Sequence, residues 1–315
     1  MTRRDFVSAL TGGAAASLTG ESEKLFGKQR RRRAARYDPH DKRNRIGIST
    51  WSFHNFFQST REKEFALTGS MLALLDFPEM IADRYKVHNL EFVAPHFTSK
   101  ELTYIRELKL KLQAAHSRLV NIPVDIPEIW NEGGLSDPAE RVRNAAINAS
   151  QNWIDTAKLL GAVSVRCDPG RMNAEDLAPT IDSYKKLAAY GKSKGIAVII
   201  ENHGGVGSEH PEELIKVFQD TGGNFVGALP DFGNFPDEET RRRGLALLFP
   251  YGKAVCHAKG LEFDSSGNET KFDFKRCVEI SKEANFKGIY SIEYEGPGDP
   301  YDGVQKVVDE LLRYL

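Results

Sequence analysis

From Arg45 to the carboxyl terminus, short β-branched runs alternate with longer amphipathic stretches eight times over, and this alternation restricts the chain more than anything else in it. The strand candidates are Ile46–Thr50, Asn89–Val93, Arg118–Ile122, Ser164–Cys167, Ala197–Glu201, Phe225–Leu229, Ala254–His257 and Tyr290–Glu293. Runs such as AVIIE and VSVRC are apolar without alternation, as strands covered on both faces are. Eight strands separated by crossover helices predict an α/β fold, a (β/α)8 TIM barrel in one domain, for which roughly 250 residues suffice. Helices are expected at Phe77–Lys86, Lys100–Ala115, Ala174–Lys194, Pro211–Gln219, Glu238–Leu247, Asp273–Ala284 and Asp302–Leu315. The helix between the third and fourth strands shows the pattern best. Asp137 is placed to cap it, Pro138 to enter its first turn and Glu140 to complete a capping box. Val142, Ala146, Trp153, Ile154, Ala157 and Leu160 then recur at helical spacing, and Gly161 ends it.

Residues 1–44 stand outside this pattern. Residues 1–20 pair Arg3 and Arg4 with Phe6 and a weakly apolar stretch, which resembles a twin-arginine export signal. That route carries folded proteins, so the expectation is an exported, periplasmic protein that folds before export. Residues 21–44, with Arg30 to Arg33 in one run, read as a solvated basic linker. The barrel is assigned to residues 45–315.

A formal net charge of −1 gives no electrostatic basis for a nucleic-acid or anionic-membrane partner. No apolar stretch has the length of a permanent membrane span. Three cysteines make no disulfide framework, and Cys167 and Cys256 lie in apolar runs that suit buried, inert thiols.

In such barrels chemistry sits at the carboxyl ends of the strands. The fifth strand ends in Glu201-Asn202-His203, and the sixth runs into Asp231-Phe232-Gly233-Asn234. The seventh ends in Cys256-His257-Ala258-Lys259 and the eighth in Ile292-Glu293-Tyr294-Glu295. Glu201, Asp231, His257 and Glu293 are separated by 30, 26 and 36 residues, about one βα unit each, so they converge from four neighbouring strands. Three carboxylates and an imidazole around one point describe a site for one divalent ion, Mn²⁺, Co²⁺, Mg²⁺ or Zn²⁺. Taken singly, each has a plainer role, as a solvated cap or a packing residue. Glu295 shares a strand face with Glu293 and is the alternative to it. His203, Asn234, Lys259, Arg166 and His54 are candidates for binding substrate, with an ion pair to Glu91 or Asp168 as the other role for Arg166. The stretch Asn121–Gly134 is long for a βα loop and carries Trp130, as a lid would.

With IENHGG on the fifth strand, DFGNF after the sixth, HAKG on the seventh and YSIEYEG on the eighth, the chain resembles the sugar phosphate isomerase/epimerase family of xylose isomerase-like barrels. RLVNIPVD and VSVRCDPG on the third and fourth strands look similar too. The resemblance implies that Glu201, Asp231, His257 and Glu293 bind the metal, and that Glu201 and Glu293 also act as the acid/base pair. It implies a sugar isomerase or epimerase that abstracts a proton next to a carbonyl, the metal holding the enediolate. Expulsion of a β-substituent from that intermediate would make a lyase or deglycosidase on an oxidised (keto) sugar. Barrels of this kind often pair, and nothing in the sequence decides whether this one does. An apurinic endonuclease fits poorly, because position 234 is Asn, no Asp-x-His follows the seventh strand and no basic surface awaits a duplex. A barrel that binds carbohydrate without turnover would have no use for three crowded carboxylates.

Overall fold

The computed structural model describes residues 40–63, 70–222 and 224–315, so the twin-arginine segment and most of the basic linker lie outside the described residues. The eight expected strands form: β1 (Ile46–Ser49), β2 (Asn89–Glu91), β3 (Arg118–Pro123), β4 (Ser164–Arg166), β5 (Ala197–Glu201), β6 (Val226–Leu229), β7 (Val255–Gly260) and β8 (Ile289–Tyr294). All pair in parallel, in the order β6-β5-β4-β3-β2-β1-β8-β7. Single parallel bridges join the two ends of this sheet, Ala228 to Gly252 and Asp231 to His257. His257 N donates to Pro230 O at 2.9 Å and Phe232 N to His257 O at 3.1 Å. The curled sheet is thus tied across its seam at the level of two candidate site residues.

Among the described residues ten α-helices surround it: α1 (Phe77–Tyr85), α2 (Leu102–Ala114), α3 (Pro127–Trp130), α4 (Glu140–Leu160), α5 (Ala178–Lys194), α6 (Gly205–Glu209), α7 (Pro211–Asp220), α8 (Glu238–Leu248), α9 (Phe274–Glu283) and α10 (Pro300–Tyr314). Among the described residues no helix is long and apolar enough to cross a membrane. Among the helix starts that differ from the sequence expectation, those of α4 and α5 do so for the same reason. Asp137 spends its carboxylate on the N–H groups of Ala139 (2.8 Å) and Gly133 (3.0 Å), so α4 begins at Glu140 with no side-chain cap and the capping box does not form. Likewise Asn173 and Asp176 accept from Glu175 N and Ala178 N, making local turns where helix was expected, and α5 starts at Ala178. Short polar side chains compete with helix in this way. Gly161 does end α4, in the left-handed region at φ 84°.

Most of the apolar core lies between the sheet and its helices. A second, separate cluster of Val120, Ile199, Leu229, Val255 and Ile289 plugs the barrel interior from five strands. Side chains repeat every two residues along a strand. Two residues beyond Ile199, Leu229 and Val255 come Glu201, Asp231 and His257, and four beyond Ile289 comes Glu293. The apolar layer therefore fixes the register that stacks these groups above it and closes the site from below. All three cysteines are buried, and burial pushes the Cys167 thiol up to about 12.

The loop from β7 to α9 winds around one carboxylate. Glu269 accepts from Leu261 N (2.7 Å) and Lys271 N (2.8 Å), and its own N–H is received by Glu310 of α10 at 3.2 Å. Glu310 is buried, which pushes its carboxyl from the ordinary 4.5 up to about 7. The folded chain therefore holds this proton more tightly than the unfolded chain. Its contribution to stability is full below pH 4.5 and is lost as the pH rises through about 7. Glu310→Gln keeps an acceptor for Glu269 N without the titration. We expect the fall in Tm between about pH 5 and about pH 8 to be smaller in the variant than in the wild type; parallel curves would contradict this.

Candidate metal centre and cavity

Glu201, Asp231, His257 and Glu293 each turn one ligand-capable atom to a common point, all of these atoms lying within 4.8 Å of one another. His257 Nδ1 is 3.0 Å from Glu201 Oε1, 3.3 Å from Glu293 Oε2 and 3.6 Å from Asp231 Oδ2. Asp231 is held by its own turn, its Oδ1 accepting from Gly233 N and Asn234 N at 2.7 Å each. Its Oδ2 is buried, makes no hydrogen bond and faces the shared point, with the Lys259 ammonium 3.4 Å away. A buried carboxylate oxygen without a donor is costly. A hard divalent cation is the partner it lacks, and three carboxylates with one imidazole suit Mg²⁺, Mn²⁺, Co²⁺ or Zn²⁺. The residues fit the ion. Buried Asn202 locks the neighbouring strand ends together, donating to Asp231 O at 3.2 Å and accepting from Asp231 N at 2.8 Å.

Burial opposes charge on every member of the group, and their mutual fields decide the outcome. For Glu201, His257, Arg166 and His203 outweigh burial and hold the carboxyl well below its ordinary range. For Glu293, His257 and Lys259 outweigh burial and lower the carboxyl below its ordinary value. Asp231 is the exception: burial prevails over Lys259 and pushes it up to about 6. Burial also disfavours the His257 imidazolium, but Glu293, Glu91 and Glu201 around it raise it well above its usual range.

Above the group opens a cavity of about 310 Å³. Trp51 and Trp130 supply its aromatic wall, and Asp125, Arg166, His203, Lys259 and Glu295 its polar one. Of the four clustered groups, Glu201 and Glu293 reach this cavity, whereas Asp231 and His257 are fully buried beneath it. Arg166 is paired with Glu201, Asp125 and Asp168 (3.0 Å to the last) and not with Glu91. Lys259 Nζ lies 2.9 Å from Glu293 and 3.2 Å from Glu295. Glu295 stands outside the four-residue group and also accepts from Trp51 Nε1 at 2.6 Å. His203 meets Asp168 at 3.1 Å, with Trp130 edge-on to its ring at 5.3 Å. Asn234 braces Glu201 Oε1 at 2.9 Å and is not part of the wall. His54 is not brought to the cavity. It stacks on Trp51 at 4.9 Å and flanks a separate pocket of about 40 Å³.

The long loop after β3 carries α3, with Ile129 buried and Trp130 against the cavity. It interlocks with the loop after β4. Gly134 and Gly170 are both left-handed, and a Cβ on Gly170 would sit 2.5 Å from Gly133 O and 2.8 Å from Ile129 O. Sequence reasoning passed over Asp125 and the role of Asn202, and it named Glu91 only as a partner for Arg166, whereas Glu91 meets His257 and Asn121. Only Asn202 carried a signal, its place between Glu201 and His203.

Eight parallel strands, with a carboxylate–imidazole group at the carboxyl ends of the last four, define a (β/α)8 barrel with its polar centre on the catalytic face. The chain belongs to the xylose isomerase-like TIM barrel family, whose sequence profile matches residues 85–315. No curated protein matches the sequence. Among solved structures, 3-keto-D-glucoside 4-epimerase from E. coli is similar at 15% identity and TM-score 0.61, covering 86% of this chain and 99% of its own. D-psicose 3-epimerase, solved in the presence of D-fructose, is similar at 13% identity and TM-score 0.62, covering 86% and 96%. A xylose isomerase-like barrel protein from Mycobacterium smegmatis, in complex with magnesium, is similar at 14% identity and TM-score 0.59, covering 86% and 97%.

Proposed function

We propose that this protein is a divalent-metal-dependent sugar isomerase or epimerase that moves a proton next to a carbonyl, with Glu201 and Glu293 as its acid/base pair. The observation that carries this reading is that these two alone of the four clustered groups meet the cavity. One carboxylate can then remove a proton and the other return one. A divalent ion held by Glu201, Asp231, His257 and Glu293 would supply Lewis acidity toward a carbonyl and adjacent hydroxyl, making the carbon-bound proton removable. The protein's own groups do the remaining work. Both glutamates are held ionised, so either can take the substrate proton near neutral pH, and the one that returns a proton takes it first from solvent in the cavity. Asn234 and Arg166 fix Glu201, and Ser49 Oγ (3.3 Å) and Lys259 fix Glu293. The Lys259 ammonium and Arg166 guanidinium in the wall favour negative charge developing on a substrate oxygen. The activities of the two epimerases above and the magnesium of the third structure support the reading.

The substrate we assign is an unphosphorylated sugar. Each cation of the wall already has a carboxylate: Arg166 has Asp125, Asp168 and Glu201, Lys259 has Glu293 and Glu295, and His203 has Asp168. A phosphate would have to displace one of them. The export reading of residues 1–20 points the same way, to a periplasmic enzyme. A second outcome of the same site is elimination from a keto sugar. Burial disfavours charge on His203, but Asp168 and Glu201 push it up to about 9, so it is a proton donor in the cavity wall for a departing alkoxide.

The test is proton exchange. Neutral ketoses and keto-glycosides are incubated with the metal-loaded protein in deuterated water and followed by NMR, each beside its phosphate ester. Deuterium is expected next to the carbonyl of a neutral sugar, with the ester a poorer substrate. A metal-loaded protein that exchanges no proton in any of them would leave the reading without support.

A further inference from the structure

Beside the apolar plug, on β2, β3 and β4, a chain of buried polar side chains reaches the four clustered groups. Glu91 on β2 is fully buried, and both its carboxylate oxygens are engaged. Oε1 lies 3.0 Å from His257 Nε2, and Oε2 accepts from Asn121 Nδ2 at 2.9 Å. Asn121 Oδ1 in turn accepts from Ser164 Oγ at 2.8 Å. None of Glu91, Asn121, Ser164 or His257 has measurable exposure. The chain of contacts runs from β4 through β3 and β2 and crosses to β7. It ends on an imidazole whose other nitrogen faces the carboxylate centre. The proton chemistry proposed above makes no use of Glu91.

We propose that Glu91 is a positioning residue that decides which nitrogen of His257 is offered to the metal. This rests on the reading of Glu201, Asp231, His257 and Glu293 as the metal's ligands. An imidazole that ligates through one nitrogen keeps its proton on the other, and the partner of that proton sets the tautomer. An ionised carboxylate only accepts. Facing Glu91, Nε2 must carry the proton and donate it, which leaves the Nδ1 lone pair for the ion. The same contact sets the tilt of the ring and increases the electron density Nδ1 can give. Asn121 and Ser164 hold the Glu91 carboxylate in the orientation that reaches His257. The role is specific to a group with two acceptors, because Asn121 and His257 both present donors to it.

The test uses Zn²⁺, which is diamagnetic, and protein labelled with ¹⁵N-histidine. Wild type and Glu91→Gln are compared, with His257→Asn identifying the His257 signals. In zinc-loaded wild type, His257 is expected to show a protonated Nε2 with a downfield-shifted N–H and a metal-bound Nδ1. In Glu91→Gln that N–H moves upfield, and competitive calorimetry against a chelator reads zinc affinity lower by about 10- to 100-fold. Two results overturn the inference: zinc on Nε2 with the proton on Nδ1 in the wild type, or a variant with unchanged affinity and unchanged N–H shift. The first needs no variant, so a poorly folding Glu91→Gln does not protect the idea. A wild type that takes up no zinc overturns the reading of the site and this inference with it. Zinc uptake with an indifferent variant overturns this inference alone.

Discussion

Glu201→Gln and Glu293→Gln, each compared at matched metal occupancy, are expected to lose turnover by about 10²- to 10⁴-fold, the range for removing a positioned acid or base. Loss of rate alone would not separate acid/base chemistry from a damaged metal site, since both residues belong to the clustered group. The distinguishing result is an asymmetry. In a two-base epimerase each carboxylate serves one face of the carbon, so a variant lacking one base still exchanges the proton of the epimer that the other base faces. Glu201→Gln should therefore wash deuterium into one epimer and Glu293→Gln into the other, while neither interconverts them at an appreciable rate. The geometry favours intact folding in both variants, because Gln keeps an acceptor for Asn234 or Ser49. Full exchange from both epimers in either variant would remove that residue from the acid/base pair. Loss of exchange that tracks metal content, and returns when metal is added in excess, would reduce both residues to ligands.

Much of the fold was legible because barrel strands buried on both faces leave an unbroken apolar signature. The strand-end residues then follow from period-two register, as Ile199 to Glu201 and Val255 to His257 illustrate. What escaped or was misplaced is of four physical kinds. Glu91 touches His257 across 166 residues of chain, and in sequence it is one acid in a strand, with no local mark of the residue it faces. Asp125 sits two residues past the end of β3 in a loop whose path is set by the close approach of Gly133 and Gly170, a tertiary contact. Asp137 resembles a helix cap by position, yet its carboxylate faces competing N–H groups and takes Gly133 and Ala139. His54 was drawn to the site by its nearness to the end of β1, but the turn of 3-10 helix over Thr50–Phe56 swings it behind Trp51. For Glu91, Asp125 and His54 tertiary packing decided what the residue met, and for Asp137 it was N–H groups close by in the chain.

Asp231 allows the metal centre to be tested by stability, without any substrate. At about 100 times its Kd, an ion that binds only the folded chain stabilises it by about 2.7 kcal/mol. For a barrel of this size that is a rise in Tm of roughly 5 °C. Asp231→Asn is expected to abolish the rise, because Oδ2, which makes no hydrogen bond, is replaced by either an amide NH2, which repels a cation, or a neutral oxygen. The metal-free variant should nonetheless melt no lower than the metal-free wild type. Its Oδ1 still accepts from Gly233 N and Asn234 N. Lys259, which loses one anion at 3.4 Å, keeps Glu293 and Glu295. Burial has already pushed the Asp231 carboxyl up to about 6, so the charge being removed is one the fold holds against its own preference. A residue kept for structure behaves in the opposite way: its loss lowers the metal-free Tm, and added metal changes neither protein. Melting curves of the two proteins with and without Mn²⁺ or Zn²⁺ therefore distinguish a carboxylate held ready for a cation from one that merely ties a turn.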